Sequence, residues 1–315
     1  DSCAQARAAG RFACEWARPR VAPSQGGQDR VRGQRRGYGS AGCGAGGAYC
    51  GGMSASPPPS VTAPWAGGPV TPRAHCVLAP NPGPMTLDGT NTWVLLEPGA
   101  TEAVVVDPGP LDEAHLAAVL AVVADAGARV ALTVLTHGHA DHAEAAPRLA
   151  ELTGAPVRAV GRGHDDLADG DVVRTGGLEL RIVATPGHTS DSISLALPAD
   201  HALLTGDTVL GRGTTVVAHP DGELDAYLDS LDRLHALTGD GSVTAILPGH
   251  GPLVPDAGVM VAYYRTHRAE RLDQVRQALA DGAASEIDVV EGVLQRANAP
   301  GTGAGRPAAG LGARG

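Results

Sequence analysis

The chain has no lysine; all 24 of its basic residues are arginine. Aromatic residues make up only 3% of it, with Phe12 the single phenylalanine, so its core has to be built from Val, Leu and Ala. It also lacks a long uninterrupted apolar run. Residues 117–135 come nearest, but Asp125 and Arg129 break them, and a buried helix followed by a strand accounts for the pattern better than a membrane span does. Cysteine is scarce where it would matter. Of five, Cys3, Cys14, Cys43 and Cys50 crowd into the first 52 residues, leaving Cys76 alone in the remainder. One cysteine makes no internal disulfide framework, which suits a reducing cytoplasm. The formal charge of −10 excludes a generally basic nucleic-acid-binding surface.

The charge is unevenly spread. Residues 1–52 carry eight Arg against Asp1, Glu15 and Asp29, a balance of +5, so residues 53–315 carry −15. The first segment shows neither helical nor strand periodicity, and Gly-rich runs such as residues 42–47 bury too little apolar area to offset chain entropy. It has no CxxC pair and no apolar stretch of the signal-peptide type. A basic tail for nucleic acid is one reading. The stronger expectation is a disordered, non-native upstream segment, with translation starting at Met53. Residues 53–72 form a Pro-rich, extended leader. Residues 73–255 form the folded domain, 256–295 a helical extension, and the Gly/Ala/Pro-rich residues 296–315 a disordered tail.

Within the folded part, apolar spacing predicts strands near 73–79, 91–96, 102–107, 130–135, 157–160, 178–184, 192–197, 202–205 and 243–247. It predicts helices over 111–124, stopped by Gly127, and near 142–152, 223–237, 256–280 and 285–294.

The chemistry concentrates after the 130–135 strand. Thr136-His137-Gly138-His139-Ala140-Asp141-His142 puts four potential metal ligands within six residues. Three imidazoles this close would repel one another if protonated with no metal between them, and a rigid strand end is a good support for a ligand loop. Three later turns share one grammar, an apolar strand, a glycine and a ligand-type side chain: Gly187-His188, Gly206-Asp207 and Gly249-His250. A lone His or Asp in a turn is usually just a turn residue; four such turns in one chain point to a metal centre.

The order THxHxDH, PGH, GD, PGHG resembles the metallo-β-lactamase superfamily, over about residues 75–270. The resemblance implies a mixed α/β chain folded as a four-layer αββα sandwich, with the site along one edge of its two sheets. It implies two Zn²⁺ ions, with Fe or Mn as alternatives. His137, His139 and His188 would hold the first, Asp141, His142 and His250 the second, and Asp207 would bridge them; Asp141 as an outer partner of the metal is the alternative. Asp141 and Asp207 are the expected catalytic carboxylates. The implied reaction is hydrolysis of an ester, thioester or phosphodiester by a hydroxide shared between the metals.

A bridging carboxylate at Asp207 resembles the glyoxalase II and ribonuclease Z branches rather than true metallo-β-lactamases. Residues 81–93 (NPGPMTLDGTNTW), residues 211–215 and His267-Arg268 look like the lactamase-β-2-like group, which includes a single-strand-specific endoribonuclease. On that likeness Asn91, Arg212 and His267 are expected near substrate, and Asp107 beside the metals in a structural role. That group usually ends in a small winged-helix-like module, which here looks truncated. The expected substrate is therefore a small ester or thioester or a single-stranded RNA, with Arg212, Arg265, Arg268 and Arg271 as a possible basic rim. A glyoxalase II-like thioesterase and a non-catalytic metal-binding protein of the same fold are the other readings.

Overall fold

The computed structural model describes residues 64–161, 163 and 167–298. The chain divides into two units, Asp1–Gly52 and Met53–Gly315, and all described residues belong to the second. The expectations for residues 1–63 and for most of the tail fall outside the described residues.

Two sheets form the centre. The first runs in chain order: β1 (Gly68–Pro69), β2 (Ala74–Leu78), β3 (Asn91–Leu95), β4 (Glu102–Val106), β5 (Arg129–Val134) and β6 (Val157–Arg158). The second is β7 (Val172–Thr175), β8 (Leu178–Ala184), β9 (Ile193–Leu197), β10 (Ala202–Gly206) and β11 (Ala245–Pro248), ordered β11-β10-β9-β8-β7. Among the described residues there are six α-helices, α1 (Glu113–Asp125), α2 (Ala140–Ala143), α3 (Ala146–Thr153), α4 (Leu224–Gly239), α5 (Ala257–Ala280) and α6 (Glu286–Asn298), and one 3-10 turn at Pro198–Asp200.

Side-chain alternation explains the layers. In β4, Val104 and Val106 face the second sheet, where they meet Leu180, Ile182, Leu195 and Leu204. Ala103 and Val105 face outward against Leu116, Val119 and Val123 of α1 and Leu149 of α3. In β10, Leu204 faces inward while Leu203 packs outward with Tyr227 and Leu231 of α4 and Met260 and Tyr264 of α5. Strands covered on both faces read as unbroken apolar runs, which is why they stand out in the sequence. The result is a four-layer αββα sandwich, as expected.

Three details depart from the sequence reading. Residues 64–72 of the Pro-rich stretch join the folded domain: β1 pairs antiparallel with β2, and Trp65 and Val70 pack on the central core. Proline is tolerated there because β1 is an edge strand, where a missing N–H breaks no ladder. Strand β7 was not predicted. It joins β8 through Gly176-Gly177, both at positive φ, the backbone that a two-residue hairpin turn requires. The helix expected over 142–152 is two helices, the second admitting Pro147 in its first turn. Among the described residues, no helix is long and apolar enough to cross a membrane.

Candidate metal centre

Strands β4 and β5 are parallel neighbours, as are β10 and β11, and β8 runs in the same direction as β10 because both are antiparallel to β9. The loops that leave their C-terminal ends carry Asp107, His137–His142, His188, Asp207 and His250. Cross-sheet hydrogen bonds join the two sheets here: Ile193 N donates to Thr136 O at 2.8 Å, and Asn91 N to Gly249 O at 2.8 Å.

Three imidazole nitrogens converge in the first donor set. His139 Nδ1 lies 3.1 Å from His137 Nε2 and 3.0 Å from His188 Nε2. In the second, His142 Nε2 and His250 Nε2 are 3.2 Å apart, with Asp141 Oδ2 at 3.4 and 3.3 Å from them. Asp207 lies between the sets: Oδ1 is 3.5 Å from His142 Nε2, and Oδ2 is 3.3 Å from His250 Nε2 and 3.7 Å from His188 Nε2. All seven sequence-predicted donors are thus brought to one site.

Outer hydrogen bonds fix which ring nitrogen faces inward. His188 Nδ1 has Val216 O at 2.7 Å and His250 Nδ1 has Gly89 O at 3.2 Å. A carbonyl only accepts, so in each case Nδ1 carries a proton and Nε2 is the nitrogen turned toward the centre. Asp107 does the same for His142, with Oδ2 at 2.9 Å from its Nδ1. The Asp107 carboxylate also accepts from Thr136 N and Thr136 Oγ1, both at 2.7 Å. With its proton committed there, Thr136 Oγ1 accepts from His137 Nδ1 at 3.0 Å. Asp107 therefore orients two of the imidazoles, although its own oxygen also falls within reach of a donor group with His137 and His142. Its φ of 51° turns the chain at the end of β4, so that both carboxylate oxygens face the β5 loop.

These groups fit a cation. Burial, together with the neighbouring imidazoles, pushes His137 well below its ordinary pKa and lowers His139 as well, so both stay neutral. Lone pairs of neutral imidazoles pointing at one another across about 3 Å are repulsive unless a positive charge stands between them. That spacing is of the order set by two ligands on one tetrahedral ion with bonds of about 2.0–2.1 Å. Asp207 Oδ1 is buried with no hydrogen-bond partner. On the other side, burial opposes protonation of His250, but the Asp141 and Asp207 carboxylates outweigh it and hold the imidazole up at about 10. His142 is likewise raised against burial, by Asp207 and Asp107. The same contacts pull Asp141 and Asp207 well below the carboxylate range despite their burial. His137 and His139 are thus disposed to offer free lone pairs, whereas the carboxylates around His142 and His250 favour protons that a metal would displace.

Glycines allow the close packing. A Cβ on Gly249 would overlap Asp207 Oδ1 and lie 2.8 Å from His142 Cε1. Gly206 sits at φ +47°, and a Cβ there would collide with Thr136 Oγ1.

The expected substrate residues fare differently. Asn91 is fully buried, and its amide donates to Pro248 O at 2.9 Å and Gly251 O at 2.8 Å while its Oδ1 accepts from Trp65 Nε1 at 2.7 Å. It braces the His250 loop and has no group left for substrate. Arg212 pairs with Asp88 at 2.5 Å, joining the 81–90 and 211–222 loops. His267 sits on α5, its ring 6.0 Å from that of Tyr263, and belongs to none of the donor groups. The basic rim does not assemble: Arg265 pairs with Asp232, Arg271 bonds Gln274, and Arg268 is directed inward to Thr215 O. Sequence reasoning missed Thr90, whose hydroxyl donates to Asp141 Oδ2 at 3.1 Å, and the carbonyl acceptors, which have no side-chain signature.

Comparison with known proteins agrees with this geometry. The profile described as the metallo-beta-lactamase superfamily matches residues 85–169 and 162–250. A beta-lactamase-like protein 2 homolog from Caenorhabditis elegans is 33% identical over 216 residues, covering 65% of this chain and 70% of that protein. An atrochrysone carboxyl ACP thioesterase from Aspergillus chevalieri is 34% identical over 217 residues, covering 67% of each. The crystal structure of a beta-lactamase domain protein from Burkholderia ambifaria superposes with a TM-score of 0.61 at 26% identity, over 76% of this chain and 84% of that one. With the profile spanning both halves of the sandwich and every donor turn, this chain belongs to the metallo-beta-lactamase superfamily.

Proposed function

We propose that the protein is a metal-dependent hydrolase with two adjoining metal positions, and that it opens the thioester or ester bond of a small acyl substrate. The observation that carries this reading is Asp207, a buried carboxylate with an unpartnered oxygen, set between one trio of inward-facing imidazoles and a second set of two imidazoles and Asp141. His137, His139 and His188 would hold one ion, Asp141, His142 and His250 the other, and Asp207 would reach both. The donors suit Zn²⁺, and also Fe or Mn. Bound there, such ions ionise water near neutral pH and polarise a carbonyl oxygen.

The chain's own groups do the rest. Asp107, Val216 O and Gly89 O hold imidazole protons at Nδ1 and so keep Nε2 directed at the centre. Thr90 holds Asp141 in place. A thioester suits this site because a thiol, with a pKa of about 8.5, leaves readily as thiolate near neutral pH. Relatives named as thioesterases support the same substrate class. An RNA substrate receives little electrostatic help, since the body carries −15 and its nearby arginines are engaged.

The test is metal analysis of the purified chain, followed by acyl-thioester hydrolysis read through release of free thiol, with a single-stranded RNA assayed in parallel. The expected result is about two transition-metal ions per chain and thiol release that stops in Asp207→Ala. Cleavage of RNA alone would transfer the protein to the endoribonuclease-like reading. A metal-loaded protein inert toward every ester, thioester and RNA would favour a non-catalytic role.

A further inference from the structure

The loop that follows the Asp207 turn is held unusually. Among the described residues, 212–217 make no backbone–backbone hydrogen bond. Yet Val216 O is the acceptor that orients His188, and Thr215 Oγ1 lies 3.3 Å from the same Nδ1. A loop that sets a donor imidazole must be fixed by something else, and side chains of the helical layer do it. Tyr227 of α4 donates its hydroxyl to Thr208 O at 2.8 Å. Tyr264 of α5 accepts from Leu210 N at 2.8 Å. One helical turn further along α5, Arg268 donates from Nη2 to Thr215 O at 2.5 Å, and its guanidinium lies over the Tyr227 ring, 5.0 Å from the centroid. Arg268 Nε is buried without an acceptor. Its guanidinium thus contacts both the Tyr227 side chain and Thr215 O, one peptide before the carbonyl that His188 uses.

We propose that Arg268 is a positioning residue for the metal centre. From α5 it fixes the Thr215–Val216 backbone, and through Val216 O it fixes the tautomer and orientation of His188, so that α5 sets the coordinating strength of the His137/His139/His188 donor set. The inference rests on the metal-centre reading above but concerns one half of the site and a residue that touches neither metal nor substrate. Removing such outer partners typically lowers metal affinity about 10–100-fold.

The test compares wild type, Arg268→Met, Arg268→Lys and Arg268→Gln. Metal affinity is read by chelator competition, the two positions are distinguished by the ligand-field spectrum of the Co²⁺-loaded protein, and the His188 Nδ1–H proton is followed by NMR. In Arg268→Met we expect one of the two ions to bind at least about tenfold more weakly, the spectrum of that position alone to change, and the His188 proton signal to shift or broaden. Arg268→Lys and Arg268→Gln each keep a donor without the full guanidinium plane and should fall between wild type and Met. A folded Arg268→Met with wild-type affinity at both positions and an unchanged Co²⁺ spectrum overturns the proposal and leaves the hydrolase reading intact. A wild type that binds no transition metal overturns both. Should Arg268→Met fail to fold, wild-type affinity in Arg268→Gln overturns the proposal in its place.

Discussion

The sharpest test of the site's geometry is a single added methyl group at Gly249. This residue is pinned on both sides: its N–H donates to Gly206 O at 2.8 Å, and its carbonyl accepts from Asn91 N at 2.8 Å. The backbone therefore cannot step aside. Its φ lies outside the left-handed region, so alanine incurs no backbone strain there. What the new Cβ meets is Asp207 Oδ1, His142 Cε1 at 2.8 Å and the Gly206 carbonyl carbon at 3.0 Å. Overpacking of this kind costs about 1–3 kcal/mol. Replacing glycine where alanine's backbone is allowed returns about 0.4–1 kcal/mol by restricting the unfolded chain. The difference, roughly 0–2.5 kcal/mol, leaves a domain of ordinary stability folded.

The carboxylate has less freedom. To clear the methyl group Asp207 must move away from the point between the two donor sets, and misplacement by about 1 Å is enough to lower rates about a hundredfold. Gly249→Ala should therefore fold, carry fewer than two metal ions after dialysis and lose hydrolysis at least a hundredfold. Chemical denaturation with and without a chelator separates the effects. Wild type should lose stability when metal is removed, because a ligand that binds only the folded state stabilises it. The variant should show nearly the same midpoint in both conditions. A Gly249→Ala protein with two ions and wild-type turnover would refute the central placement of Asp207.

Three further expectations follow from the same contacts. Asp107→Asn removes the charge that holds His142, and an amide cannot accept from Thr136 N, Thr136 Oγ1 and His142 Nδ1 together; metal affinity should fall about 10–100-fold, measured by chelator competition. For the metal-free protein, His250 held at about 10 against an unfolded value near 6.5 contributes stability that is complete below about pH 6.5 and lost as pH rises through about 10, so denaturation midpoints in chelator should decline from pH 7 to 10. Metal loading runs the opposite way and should release protons at pH 8; flat midpoints together with no proton release would contradict the assignment. Cys76 is buried, with its thiol pushed up to about 12 chiefly by burial, so peptide mapping after alkylation of the native protein should find it unmodified, and modified after denaturation.

The candidate metal donors were legible because their signal is local and repeated: they follow apolar strands and turn glycines, and strands covered on both faces announce themselves as apolar runs. The orientation of those donors was not legible. His188 and His250 are set by the carbonyls of Val216 and Gly89, 28 and 161 residues away, and any residue type supplies a carbonyl. Asn91 was misread for a related reason. Its segment does reach the site edge, but whether an amide faces the cleft or bonds to a backbone 157 residues away is decided by the folded register. The C-terminal helices show the same limit most clearly. They were read together as one truncated module, and within it the two helices differ in burial. Met260, Val261 and Tyr264 of α5 are buried in the outer core, and Arg268 reaches the His188 loop, whereas Ile287 and Val290 of α6 remain exposed. Deleting α6 should therefore be mild. A chain ending at residue 283 should keep its metal content and melt within a few degrees of the full chain, since Ile287 and Val290, the large apolar side chains described on α6 with high exposure, are not part of the core. A chain ending at residue 256 loses several fully buried side chains, each worth about 2–5 kcal/mol when truncated to alanine, and should not fold. If the chain ending at 283 folds but loses one metal, α6 takes part in the centre and the division drawn between the two helices is wrong.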